Sequence, residues 1–196
     1  MPWPPIDNAY ATWTQEPCNW LDIVLGTVGW GYGDAPAGRR QSYLDLIAPN
    51  DSPSAQKAYG KLSGCALSAL GWLRLFGLSD PELWSPYRIG RAVADVVTIA
   101  RRHGAWVQGD VMPGLGDIVL VKSPEHVFVC LGIEDGVCTS ADGGQVDGQG
   151  QCIKVCKRPV TRRGSQLWLG SRRVMGVARI GEMAPTRVQV RPVTLR

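Results

Sequence analysis

Two periodicities divide the chain. Up to about residue 103 apolar positions recur at helical spacing, and beyond about residue 117 they alternate as in strands. Leu21, Val24, Leu25 and Val28 share one face of a weak helix over about 18–28, which the run Gly29-Trp30-Gly31-Tyr32-Gly33-Asp34 breaks. A second short helix is expected over 38–48, before a loop through Pro49-Asn50-Asp51-Ser52-Pro53. Leu67, Leu70, Leu73 and Leu75 supply the apolar bulk of a helix over 63–76. The next helix, over 87–103, carries Ile89, Val93, Val96, Val97 and Ala100. It stops at Arg101-Arg102-His103-Gly104, a basic last turn followed by glycine.

In the second half, Pro113-Gly114-Leu115-Gly116-Asp117 turns into a strand over 117–122. Further strands are expected at 126–132 and near 137–141, 151–157 and 172–180, with turns at Glu134-Asp135-Gly136 and Asp142-Gly143-Gly144. Helices first and strands second predict an α+β domain, with N-terminal helices packed on a C-terminal antiparallel sheet. Residues 1–16 read as a Pro/Trp-rich arm, 17–181 as a single domain and 182–196 as a basic tail.

Composition narrows the class. With 196 residues, 44% of them apolar and 19% charged, the chain can bury a core and is not of the disordered type. Eight Trp against two Phe is unusual, and buried packing accounts for most indoles. Residues 1–60 carry a net charge of −3 and residues 157–196 a net charge of +9. A basic C-terminal quarter suits an anionic polymer, but no basic helix studded with aromatics accompanies it, so nucleic acid is not an expected partner.

Met1-Pro2-Trp3-Pro4-Pro5-Ile6-Asp7 lacks the basic and apolar regions of a signal peptide, and no apolar run approaches the ~18 residues of a membrane span. The expectation is synthesis in the cytoplasm. Action outside it would then need a signal-independent secretion system or lysis. Cysteines stand at positions 18, 65, 130, 138, 152 and 156, and free thiols are expected. Cys130, Cys138, Cys152 and Cys156 read as small core residues. Cys152 and Cys156 share a strand face without CxxC spacing, and only two histidines exist, so no zinc, other metal or cofactor is expected.

Chemistry enters with Cys65. It opens the helix of Gly64-Cys65-Ala66-Leu67, where the positive end of the macrodipole favours a thiolate. His126 follows 61 positions later, at the start of the apolar strand His126-Val127-Phe128-Val129-Cys130-Leu131. Alternation puts His126, Phe128 and Cys130 on one face of that strand. A cysteine at a helix start followed by a histidine on a sheet is the chain order of a thiol hydrolase, in which imidazole takes the thiol proton. His103 has a sufficient role as a cation at a helix C-terminus. A third group must orient the imidazole. Asp142 is the first candidate, with Gln145 and Asp147 as competitors.

Four segments together resemble the NlpC/P60 and CHAP branch of papain-like cysteine peptidases. They are the surroundings of Cys65, the lead-in Pro113-Gly114-Leu115-Gly116-Asp117-Ile118-Val119, the His126 strand, and Thr139-Ser140-Ala141-Asp142-Gly143-Gly144-Gln145. Leu25 to Gly33 is loosely similar to the family's aromatic–glycine stretch, so the likeness covers roughly 20–158. It implies a papain-like fold and Cys65, His126 and Asp142 as catalytic residues. It also implies a cysteine peptidase or amidase acting on peptidoglycan stem peptides or another peptide substrate, with an immunity or delivery protein as partner. Tyr59, Gln56, Gln145 and Trp30 are the candidates for the oxyanion and substrate site, beside the Cys65 amide. The chain departs from the family where Asp-Cys-Ser-Gly gives way to Gly64-Cys65-Ala66-Leu67, and in the extra helix over 87–103. Two alternatives stand beside hydrolysis: acyl transfer to an amine, as in a transglutaminase-like protein-modifying enzyme, and an inactive binding or phage-tail module.

Overall fold

A computed structural model describes residues 20–31, 64–75, 78, 92–122, 125–147 and 150–180. The expected arm over 1–16, helix over 38–48, tail over 182–196, and the candidates Gln56 and Tyr59 lie outside these residues. The described helices are α1 (Trp20–Gly26), α2 (Gly64–Leu75) and α3 (Ala92–Arg102). The strands are β1 (Trp106–Gln108), β2 (Ile118–Lys122), β3 (His126–Glu134), β4 (Val137–Asp147), β5 (Gly150–Arg163), β6 (Gln166–Leu169) and β7 (Arg172–Ala178).

Strands β2 to β7 are linked antiparallel in the order β7-β2-β3-β4-β5-β6, and β6 pairs again with β7. This closes a six-stranded barrel, with β1 added along β7. The expectation of helices packed on a sheet in the papain-like manner is therefore corrected: the architecture is an antiparallel barrel, and the three described helices are short. One hairpin accounts for the difference. β5 runs 14 residues, far beyond the strand expected near 151–157. Gly150–Pro159 pairs with β4, and Val160–Arg163 then pairs with β6, a strand that periodicity did not reveal. Gly164, at φ 61°, makes the turn between β5 and β6. Because β6 also meets β7 through Trp168↔Arg173 and Leu169↔Arg172, no open edge remains there.

Closure gives the strands two apolar faces. Val119, Val121, Phe128, Cys130, Cys138, Leu167, Leu169, Val174 and Val177 fill the barrel interior. Ile118, Leu120, Val127, Val129, Ala141 and Ile153 point outward into a second core with Ile23, Leu67, Trp72, Leu73 and Ile99 of the helices. The alternation expected along β3 is present, with Phe128 and Cys130 inside and Val127 and Val129 under the helices. Burial on both faces explains why β2 reads as the continuous run Ile118-Val119-Leu120-Val121. Cys130, Cys138 and Cys152 are buried as expected, while Cys156 is half-buried.

The turn expected at Asp142-Gly143-Gly144 is instead a bulge inside β4. Asp142 pairs with Lys154 and Gln145 with Cys152, so one extra residue is held on β4. This bulge receives the N-terminus of α2. A Cβ at Gly143 would lie 2.0 Å from Ser68 Oγ and 2.6 Å from the Gly64 carbonyl oxygen. A Cβ at Gly64 would lie 2.8 Å from Gly144 Cα. Glycines on both sides thus allow helix and strand backbones to touch. Gly143→Ala is expected to destabilise the fold by about 1–3 kcal/mol through overpacking. Urea unfolding with an unchanged m-value checks this, and a variant as stable as the native chain would show that the contact gives way freely.

Candidate active site

The start of α2, the start of β3 and the bulge of β4 converge on one point. His126 sits opposite Val121 of β2 and is 6% exposed, and Asp142 is fully buried. His126 Nε2 donates to Asp142 Oδ2 at 2.6 Å. An ionised carboxylate only accepts, so this bond places a hydrogen on Nε2 and leaves Nδ1 to exchange a proton with another group. Cys65 is the other group that acts on this ring: with Asp142 it raises the imidazole pKa against the lowering effect of burial. Cys65 is 4% exposed at the first turn of α2.

Asp142 is the hub. Ser140 Oγ donates to its Oδ1 at 2.6 Å. Arg158 spans both oxygens, with one guanidinium nitrogen 3.0 Å from Oδ1 and the other 2.5 Å from Oδ2. The same guanidinium also donates to Ser140 Oγ and lies 4.6 Å over the centroid of the Phe128 ring. Burial pushes the Asp142 carboxyl up, but the bonds from His126 and Arg158 outweigh it and hold the group below the usual carboxylate range. For His126, burial favours the neutral ring, yet the Asp142 and Cys65 bonds win and the imidazolium persists above its ordinary range.

The other residues predicted from sequence fall elsewhere. Gln145 turns its amide back to the Gly143 carbonyl at 3.5 Å. Trp30, 2% exposed, is a core residue rather than a groove wall. Its carbonyl accepts from Ile153 N at 3.0 Å, and Gly31 bridges to Cys152, so the aromatic–glycine stretch clips α1 onto β5. His103 is exposed at the end of α3. For Asp147 only the backbone is described, paired with Gly150. The lead-in before β2 positions its own carboxylate: Asp117 Oδ2 accepts from Gly114 N at 2.7 Å and from Arg179. It serves the turn.

Three neighbours of the site escaped sequence reasoning. Ser140 and Arg158 read as ordinary strand polar residues, though alternation along 138, 140 and 142 would have aligned Ser140 with Asp142. Gln151, at the start of β5, brings its Oε1 to 2.9 Å from the position a Cβ at Gly64 would take. It therefore covers the turn that carries Cys65. Gly144, at φ 69°, lies against the Cys65 amide, and a Cβ there would stand 3.0 Å from that nitrogen. Among the described residues no group of three or more His, Cys, Asp or Glu is placed to hold a metal ion. No described helix is long and apolar enough to cross a membrane. No family model, no curated protein and no solved structure matches the chain.

Proposed function

We propose that this protein is a cysteine hydrolase that cleaves an amide or peptide bond. The observation that carries the reading is the His126–Asp142 bond at 2.6 Å on an imidazole whose pKa Cys65 also raises, the three residues being drawn from three separate elements. Buried polar groups are costly unless partnered, and a line of thiol, imidazole and carboxylate is the arrangement that activates a nucleophile. His126 takes the Cys65 proton, and the thiolate forms a C–S bond to the substrate carbonyl carbon. Imidazolium gives that proton to the leaving amine as the C–N bond breaks. Water then attacks the thioester, losing one proton to His126, and the acid departs as the sulfur is released. Peptidoglycan stem peptides are the proposed substrate. Support for that choice is the motif order shared with NlpC/P60 and CHAP peptidases, and not the barrel.

The direct test is thiol selectivity. Cys156 is the most exposed described thiol, but burial and the nearby Asp142 charge push its pKa up. Cys130 and Cys138 are fully buried with their sulfurs 3.9 Å apart, and that contact raises Cys138. Among the described thiols only Cys65 acts on the His126 imidazole. Limited iodoacetamide treatment with peptide mapping is expected to label Cys65 first. Labelling of Cys156 with Cys65 untouched overturns the reading and leaves a binding module. Release of an amine adduct in place of a free acid from a stem-peptide substrate would indicate acyl transfer.

A further inference from the structure

The proposed mechanism does not use Arg158, yet its side chain is tied to the site by several contacts. Its fork takes both Asp142 oxygens, it donates to Ser140, and its face covers Phe128, whose ring centroid lies 5.9 Å from that of His126. Its side chain is 15% exposed, so the charge is held largely out of water. A structural ion pair needs no third member. Here Oδ2, the oxygen that accepts from His126, also accepts from Arg158. One carboxylate oxygen is therefore divided between two cations.

We propose that Arg158 is a positioning residue that shares the Asp142 carboxylate with His126, fixing its orientation and limiting how firmly it holds the imidazolium proton. The proposal rests on the hydrolase reading for its functional meaning. A carboxylate bound to imidazolium alone stabilises the charged ring strongly, which favours the thiolate but weakens the ring as an acid toward the leaving amine. Withdrawing part of the carboxylate charge to a permanent cation offsets this. The groups facing the His126–Asp142 pair are Cys65 from α2, Ser140 and Cys138 from β4, and Arg158, Cys156 and Lys154 from β5, the last being the register partner of Asp142 with its ammonium on the Val146 carbonyl. β2 presents Val121 opposite His126, and Glu125 precedes the ring in an exposed turn.

The chain has two histidines, so its imidazole NMR spectrum contains His126 and an internal control, exposed His103. In Arg158→Gln the His126 titration midpoint is expected to rise by about one pH unit. Arg158→Lys, which keeps the charge but loses the fork, is expected to shift His126 in the same direction by less. The lysine variant serves if the glutamine variant does not fold, as judged by thermal melting. The alkaline limb of kcat/KM should move up in parallel, with kcat lowered about tenfold and KM unchanged. A His126 midpoint that stays put or falls in a folded variant overturns the proposal. The titration needs no substrate, so a chain without hydrolytic activity would refute the hydrolase reading while still testing this one.

Discussion

Cys65→Ala and His126→Ala are each expected to lower turnover of a stem-peptide amide by a factor on the order of a thousand or more. The double variant should be no slower than either single one, because a nucleophile without its base and a base without its nucleophile fail at the same step. His103→Ala should leave the rate unchanged, since that ring is exposed at the end of α3. Equal losses from both histidine variants at unchanged folding would mean that the base has been misassigned. The pH profile carries a sign. Partners hold His126 protonated above its ordinary value of 6.5, so the alkaline limb that reports loss of imidazolium should lie above that pH. In Cys65→Ala the His126 titration should move downward, because one of the bonds that favour the charged ring is gone.

Asp142 carries the second large effect. Asp142→Ala is expected to reduce kcat at least a hundredfold with little change in KM, since the carboxylate orients His126 and does not bind substrate. Asp142→Asn should be nearly as damaging. Oδ1 accepts from Ser140 and Arg158, and Oδ2 from His126 and Arg158, so the site uses two acceptor oxygens. Asparagine offers one, and its NH₂ group meets an Arg158 donor whichever way it turns. Alanine also strands Arg158 in a mostly buried position and is expected to cost about 3 kcal/mol of stability. Gln145→Ala should be close to neutral on both counts. If the rate loss falls on Gln145 instead, Asp142 is a structural partner of Arg158 only.

Acid stability follows from the same carboxylate. Its folded-state pKa lies below the ordinary 3.8, so its contribution is complete above that value and is lost as pH falls toward the folded-state pKa. Asp142→Asn should therefore flatten the acid side of the stability profile. Urea midpoints measured from pH 6 down to pH 3 check this, and parallel native and variant curves would show that the carboxylate contributes no pH-linked stability.

How much of this was legible in the chain depends on the range of the interaction. The helical start at Gly64-Cys65, the face shared by His126, Phe128 and Cys130, and the continuous apolar run of β2 all follow from local periodicity, and the structure has them. Periodicity is a property of neighbours within a turn or a pleat, so it survives without tertiary context. Barrel closure does not. It depends on Val160–Arg163 meeting β6, through residues whose side chains alternate weakly and whose turn is rich in arginine. Nor does the bulge at Gly143-Gly144, where a glycine pair that reads as a turn is instead a slot for the α2 backbone, 79 positions from Gly64.

The candidate site divides along the same line. The types and order of Cys65, His126 and Asp142 were visible because each opens or interrupts a regular element. Their convergence, and the gathering of Ser140, Arg158 and Gln151 around them, was decided by strand register. Register is set by pairings between strands distant in the chain, and a slip of one residue would have turned Asp142 to the opposite face. Sequence by itself determined which groups were available and where they sat on helix or strand. Only the closed barrel decided which of them come together, because that depends on distances that non-local pairing creates.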